Sequence, residues 1–439
     1  MAQIVPKNTD VIVIGGGIVG LASAYELALR GVQVVVVEKG RMAGEQSGLA
    51  WGFVRQQDRD PVELPLMVAA NKLWPDLTKR LEADIDWRQE GLVALADSEE
   101  ALAHYENRAK LEQSHGVDSR LLTPQEVQSH LPGYSLSVLG GLYTASDGHA
   151  DPLKSTLAFG DAARRLGVEI LEHTAVTWLQ VSEGRITGVE TTAGPIAAKT
   201  VICAAGAHAP KLLRPAGIKF PIRSTRSTVA RTHPLPPLTE LAVRGPRVSF
   251  RQTRSGHVIL GGSGPSAADY DITLESFRDL GVFLPNFIAN RKMVKLHLGR
   301  PLVEDILRSL PFTPTGYVAK KNPFAHTVKT MPQANHEMVE TIRRAFHGCY
   351  PSLPSVTIDQ SWAGIIDTTP DVVPVIESSE KVAGLFIAAG FSGHGFALGP
   401  IVGQLLSEWI VDGKPSMPLD GFRLNRFAEK TLSKARKLY

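Results

Sequence analysis

Residues 11–20 read Val11-Ile12-Val13-Ile14-Gly15-Gly16-Gly17-Ile18-Val19-Gly20, and this stretch decides the fold. The four β-branched residues form a short apolar run, the pattern of a buried parallel strand. The glycines fit G-x-G-x-x-G with Gly15, Gly17 and Gly20 in the three positions. Behind them Leu21, Ala24, Tyr25, Leu27 and Ala28 recur three and four apart, which predicts a helix that Gly31 terminates. A second strand is predicted over Val32 to Val37, ending at Glu38. Each part has a physical task. Gly15 makes the tight turn, Gly17 lets a pyrophosphate approach the backbone, and Gly20 lets the helix pack on the strand. The helix N-terminus, at Ile18 and Val19, offers N–H groups and positive dipole to phosphate. Glu38 accepts hydrogen bonds from ribose hydroxyls. A glycine-rich turn in an ordinary βα unit is the alternative for the glycines alone. Strand, glycines, helix, strand and acid in this order favour a dinucleotide site.

The rest of the chain is consistent with a large folded protein. Its 439 residues suggest two or three domains at about 100–200 residues each. Apolar residues make up 43% and charged residues 21%, which excludes global disorder. The net charge of +3 is too small to predict a nucleic-acid partner. Cys203 and Cys349 are the only cysteines, so no disulfide framework or zinc cluster is expected. They suit a reducing compartment, and a cytoplasmic location is expected. Met1 to Asp10 lacks a charged region followed by an apolar one, so no signal peptide is expected. No uninterrupted apolar run is long enough to span a bilayer. The 40 glycines exceed the typical share of about 7%, and they cluster.

One cluster, Gly44-Glu45-Gln46-Ser47-Gly48, follows Glu38 and Lys39 closely. Small and polar residues there would let more of a dinucleotide lie along the loop. Taken alone, the segment reads equally as a surface turn. Asp151-Pro152 predicts an N-cap and first helical position, with the helix running to about Leu166. Val201-Ile202-Cys203-Ala204-Ala205-Gly206 is an apolar strand ending in small residues. Val248–Gln252 and Val258–Leu260 predict a hairpin around Ser255-Gly256. In Val294–Leu298, apolar residues alternate with Lys295 and His297, predicting a strand with one polar face. A last strand over Gly384–Ala389 enters Gly390-Phe391-Ser392-Gly393-His394-Gly395-Phe396, followed by a helix to about Val411. Gly395, Gly399 and Gly403 share one face of it. The loop is no nucleophile elbow, because G-x-S-x-G needs glycine where His394 stands. No H-E-x-x-H occurs, and no metal site is expected.

These segments together resemble the D-amino-acid oxidase, glycine oxidase and sarcosine oxidase superfamily of flavoproteins. Asp10–Lys39, Gly44–Ser47, Ser361-Trp362-Ala363-Gly364, Thr368-Thr369-Pro370-Asp371 and Gly390–Phe396 carry the resemblance. It implies an α/β fold: a Rossmann-type FAD-binding domain interleaved with a smaller, antiparallel-sheet substrate domain. The expected division is 1–85, 143–218 and 359–439 for FAD, and 86–142 and 219–358 for substrate. Cofactor contacts are implied for Gly15, Gly17, Ile18, Val19, Gly20, Glu38, Lys39, Gln46, Ser47 and Gly48. Val176, Ala204, Ala205, Gly206, Trp362, Gly364 and Asp371 are implied likewise. So are Gly390, Ser392, Gly393, His394, Gly395 and Phe396, whose helix dipole would face the flavin N1–C2=O edge. No cysteine falls between residues 350 and 439, so non-covalent FAD is expected.

Function follows as an expectation: oxidation of an amino-acid C–N bond by hydride transfer from Cα to flavin N5. The imine is then hydrolysed to a 2-oxo acid plus ammonia or an amine. Arg251, projecting from the hairpin, is the candidate partner of the substrate carboxylate, although a solvated surface arginine is the other reading. Trp51–Pro61 and Leu284–Asn335 resemble a subgroup containing membrane-associated L-amino-acid deaminases and opine oxidase catalytic subunits. On that basis Arg55 and Gln56 are further substrate candidates. His394 is a candidate catalytic group, read first as a loop or flavin-side residue. The stretch 284–335 contains the acid-free basic run Arg291, Lys292, Lys295, Arg300. It is a candidate docking insert for a partner subunit, the inner membrane or an electron acceptor, or a solvated strand face. The acceptor is expected to be O2 or a quinone. The alternatives are a catalytic subunit of a hetero-oligomeric oxidase of N-substituted amino acids, and a flavoprotein acting as a binding module.

Overall fold

The computed structural model describes residues 5–310 and 333–433. The strand β1 (Val11–Ile14), the helix α1 (Ile18–Leu29) and the strand β2 (Val34–Val37) follow the expected order, with β2 starting two residues later than the sequence suggests. All four residues of each strand are buried, as a parallel sheet covered on both faces requires. The sheet runs Val375–Ser378, Leu385–Ala389, Thr200–Cys203, β1, β2, Glu169–Leu171. Its neighbours are parallel except Val375–Ser378, which runs antiparallel to Leu385–Ala389.

α1 is buried over most of its surface because the helix Gly395–Asp412 lies against it. The glycine face of that helix makes the contact possible. A Cβ on Gly399 would lie 2.9 Å from the Ile18 side chain, and one on Gly403 would lie 2.6 Å from the Ala22 backbone. The helix Leu64–Arg80 packs on the same element, and Trp74 Nε1 donates to the Ala397 carbonyl at 3.0 Å. Asp151 caps the helix Pro152–Arg165, accepting from the Lys154 N–H at 2.9 Å.

Among the described residues the second sheet has ten strands. Its longest members, Arg223–Thr232 and Ile358–Thr368, pair antiparallel. The hairpin Val248–Gln252/Val258–Gly262 packs beside them, as expected. The cores of the two sheets are distinct: one surrounds β1 and α1, the other Phe250, Phe346 and Tyr350. A small two-stranded pairing joins Phe53–Val54 to Gly148–His149 and anchors the Trp51–Pro61 segment.

The insert contains the expected strand. Val294–His297 is a strand, paired parallel to Ala268–Asp271, but its apolar residues are not its covered face. Leu296 is 46% and Leu298 75% exposed, while His297 turns to Asp269, with Nε2 and Oδ1 2.6 Å apart. Alternation reveals two faces but not which one meets water. The part of the expected insert at 311–332 lies outside the described residues. Among the described residues no helix is long and apolar enough to cross a membrane.

Candidate active site

The turn after β1 leaves room only for glycine. Gly15 has φ +114°, and a Cβ there would lie 2.4 Å from the Ala204 carbonyl. A Cβ on Gly20 would lie 2.1 Å from the Gly15 carbonyl, so Gly20 serves packing and is not part of the cavity wall. Glu38 closes the turn from the next strand. Its carboxylate accepts the N–H groups of Gly16 at 2.7 Å and Gly40 at 2.6 Å. Burial raises its proton affinity, and these two donors oppose the rise. Each oxygen keeps a further lone pair, so a ribose hydroxyl can still be accepted. Ser47 Oγ accepts the Ile18 N–H at 2.9 Å, at the first turn of α1. Glu45, half-buried, is held down to about 2 by His208 and Lys39, which both pair with it.

From this cradle one cavity of ≈ 440 Å³ runs past Ala204–Gly206 and Gly364 to Ser392–Phe396. Val176 and Glu38 line one part of it, Arg55, Arg59 and Arg244 another. Gly390 (φ +71°) donates its N–H to buried Asp367, whose carboxyl burial pushes up to about 7. A glycine turn that no Cβ fits, a paired acid and a helix N-terminus suit the pyrophosphate and ribose of FAD. The second helix N-terminus, at Gly395, suits the flavin end.

Three arginines gather in one part of the cavity. Arg55 follows the Phe53–Val54 strand, Arg59 lies four residues on, and Arg244 ends the strand Ala242–Arg244 of the other sheet. Burial and the charges of Arg244 and Arg59 push Arg55 well below its ordinary range. One terminal nitrogen of Arg244 is buried with no hydrogen-bond partner among the described residues. Tyr105, Ser249 and Ser263 complete this part, the two serine hydroxyls 2.8 Å apart. Asp58 stands behind the arginines. Its carboxylate is 3.4 Å from Arg244, 3.5 Å from Arg108 and 3.2 Å from His104. Against its partial burial, the His104 hydrogen bond and the charges of Arg244 and Arg55 hold it well below the usual carboxylate range.

The predicted residues separate accordingly. Gly15, Gly17, Ile18, Val19, Glu38, Lys39, Gln46, Ser47, Val176, Ala204–Gly206, Gly364, Ser392–Phe396 and Arg55 line the cavity. Gly48, Gly390, Trp362, Asp371, Gln56 and Arg251 do not. Gly48 is fixed by close backbone approach, since a Cβ would lie 2.1 Å from the Ala43 carbonyl. Trp362 Nε1 donates to the Leu49 carbonyl at 3.0 Å. Asp371 is claimed by Arg426, at 2.8 and 3.1 Å. Arg251 corrects the expectation drawn from the hairpin. It is 2% exposed, and its Nε donates to the Trp51 carbonyl at 2.5 Å. Trp51 and Gly52 cover it, so they line the cavity and it does not. Arg59, Arg244, Tyr105 and Asp367 were missed. Arg59 carried one signal, its four-residue spacing from Arg55. Arg244 carried none, because only the sheet brings it there.

Gln56 holds the segment from behind. Its N–H and Nε2 both donate to Asp147 Oδ1, at 2.7 and 3.1 Å, and Asn71 Nδ2 adds a third donor at 3.3 Å. Burial pushes Asp147 up to about 7, against these donors. The folded state therefore binds a proton that the unfolded chain releases near the ordinary value of 3.8. That stability is present below the unfolded value and is lost as pH rises through about 7. D147N, which mimics the protonated acid, should melt only slightly above the native protein at pH 5, inside the window where the unfolded acid is already ionised. At pH 8.5 it should melt ~2–4 °C higher. Parallel melting curves at both pH values would remove Asp147 from the pH dependence.

Known proteins agree with this architecture. The family model described as FAD dependent oxidoreductase (DAO) matches residues 10–409. The chain is 25% identical to sarcosine oxidase subunit beta of Rhodobacter capsulatus over 96% of its length and 89% of that protein. It is 26% identical to mouse mitochondrial sarcosine dehydrogenase over 97% of its length, but spans only 42% of that protein. The fold matches L-amino acid deaminase from Proteus myxofaciens with a TM-score of 0.89 at 24% identity, covering 97% of this chain and 95% of that one. With a glycine cradle and a second helix N-terminus on one cavity, and a family match over most of its length, this chain belongs to the DAO family of FAD-dependent oxidoreductases.

Proposed function

We propose that this protein oxidises the C–N bond of an amino or imino acid with non-covalently held FAD, yielding a 2-oxo acid and ammonia or an amine. The carrying observation is the single cavity that joins the glycine cradle to the arginine cluster. When bound, FAD supplies the hydride acceptor for the substrate Cα. The chain supplies the rest. Arg55 and Arg244 bind and orient the carboxylate, since a guanidinium fork matches it. Asp58 keeps Arg244 in place, and Trp51, Phe53 and Tyr105 exclude water. Neither cysteine lines the cavity, which supports the non-covalent reading. Incubation with a panel of amino and N-alkyl amino acids, with assay of 2-oxo acid and released amine, tests it. A 2-oxo acid from at least one member is expected, and none from any member overturns it. Steady-state rates with oxygen and with a dye separate O2 from a quinone-type acceptor.

The insert supports peripheral docking on an anionic membrane surface. Leu280, Leu284, Phe287 and Ile288 are exposed on one face of the helix Leu280–Asn290. Leu298, Val303 and Ile306 are exposed elsewhere in the insert, as are Arg291, Lys292, Lys295 and Arg300, of which Lys295 pairs with Glu337 and Arg300 with Glu304. Apolar residues mixed with cations suit a headgroup layer, at about 1 kcal/mol per cation. The protein should float with anionic vesicles, not neutral ones, and L284E/F287E should reduce binding about tenfold. No flotation, together with a stable hetero-oligomer from native expression, would favour the subunit reading.

A further inference from the structure

His394 and Glu63 form a pair to which the amino-acid reading gives no task. Glu63 directly precedes the helix Leu64–Arg80 and is fully buried. Both of its carboxylate oxygens meet His394 Nδ1, at 2.9 and 3.0 Å. His394 stands at the N-terminus of the helix Gly395–Asp412 and lines the cavity. The contact spans 331 residues of chain, so the fold alone creates it.

A carboxylate only accepts hydrogen bonds, so Nδ1 carries the proton. In the neutral ring that fixes the tautomer and leaves the lone pair on Nε2. Among the described residues Nε2 makes no hydrogen bond. The charged groups around the ring are Glu63, Arg59 and Arg55. Burial and the two arginines hold His394 down to about 4, against the pull of Glu63. The ring is therefore neutral in the free protein. A substrate carboxylate docked on the arginine cluster would cancel the positive field that opposes its protonation.

Oxidation at Cα requires the nitrogen lone pair, yet an amino acid arrives as an ammonium ion at neutral pH. The proton needs an acceptor inside the site. We propose that His394, positioned by Glu63, accepts the ammonium proton of the bound substrate. An N–H bond of the substrate breaks and an Nε2–H bond forms. The proton moves alone and no electrons change hands. The imidazolium that results is paired with Glu63. His394 is the catalytic residue and Glu63 the positioning residue, and the assignment rests on the amino-acid reading above.

The test uses FAD-loaded wild type, E63Q and H394N in anaerobic rapid mixing with a reducing amino acid, from pH 6.5 to pH 10. General-base loss should slow flavin reduction about 100-fold near pH 7, with substrate affinity within about threefold. The deficit should shrink below about tenfold at pH 10, where the amine arrives already deprotonated. A deficit equal at every pH would show a structural role and overturn the proposal, as would no deficit. Flavin absorbance confirms folding, and H394N carries the test if E63Q does not hold FAD. Nitrogen-15 NMR of the imidazoles gives a readout independent of turnover. His394 should be protonated on Nδ1 and bare on Nε2 at pH 7, and acetate, as the carboxylate probe, should raise its titration midpoint. A proton on Nε2 in the neutral ring would overturn the assignment. If no amino acid reduces the wild-type flavin, the amino-acid reading falls and the base role with it, while the NMR result still decides the tautomer.

Discussion

Replacing Arg244 by leucine is expected to lower kcat/KM for the amino-acid substrate about 100-fold, with most of the loss in KM. Truncating one partner of a buried, hydrogen-bonded charge pair costs about 2–5 kcal/mol, and about 3 kcal/mol is roughly two decades. The loss belongs in KM because the carboxylate contact exists in the ground state and the transition state alike. R244K keeps the charge and loses the planar fork, so about a tenfold loss is expected. FAD binding should be unaffected, because Arg244 is not part of the glycine cradle. Asp58 retains Arg108 and His104 as partners, so the scaffold should tolerate the change. Steady-state kinetics with a dye acceptor checks this. A change below about threefold would move the carboxylate site elsewhere.

The second large effect is on stability. Arg426 binds Asp371 through Nε and a terminal nitrogen, and also donates to the carbonyls of Val373 at 2.6 Å and Arg423 at 2.9 Å. Side-chain exposures are 5% and 1%. Breaking a buried pair leaves an uncompensated charge, at about 3–5 kcal/mol. R426A should lose about that much in denaturant unfolding. Asp371 also accepts from the Val373 N–H and the Thr369 hydroxyl, so it fixes the turn at Val372, whose φ is +66°. That turn meets the flavin-side loop through Thr369 and Ser392, so FAD affinity should fall as well. The Arg30–Asp412 pair, 32% and 53% exposed, is the control. R30A should change stability by no more than about 0.5 kcal/mol. Equal effects of R426A and R30A would contradict the role given to burial.

Those two pairs also mark how far sequence reading reaches. The unit from Val11 to Glu38 was legible because its signals are local: a β-branched run, glycines at fixed spacing, a helical period, an acid. The Asp151 cap and the glycine face of the last helix were legible for the same reason. Asp371 was read as a cofactor residue because its motif points to the flavin, and its partner Arg426 lies 55 residues away without any motif. Arg251 shows a different limit. Strand alternation places it on the face of Ser249, but nothing in the hairpin tells that Trp51 and Gly52 cover it. Leu296 and Leu298 show the same limit, since alternation does not say which side is solvent. Arg244, Glu63 and Asp58 enter the site only through sheet pairing and the packing of the Leu64–Arg80 helix. Binding residues assembled across two sheets leave no spacing to read.

The amino-acid reading is tested most directly by the visible absorbance of the FAD-loaded protein on anaerobic mixing with amino and N-alkyl amino acids. Each reducing substrate is then repeated with deuterium at Cα. At least one member should bleach the flavin, and deuterium should slow the bleaching several-fold, because the Cα–H bond breaks in that step. Flavin that stays bound and oxidised with every member, or bleaching blind to deuterium with every substrate, would contradict amino-acid oxidation as the function of this cavity.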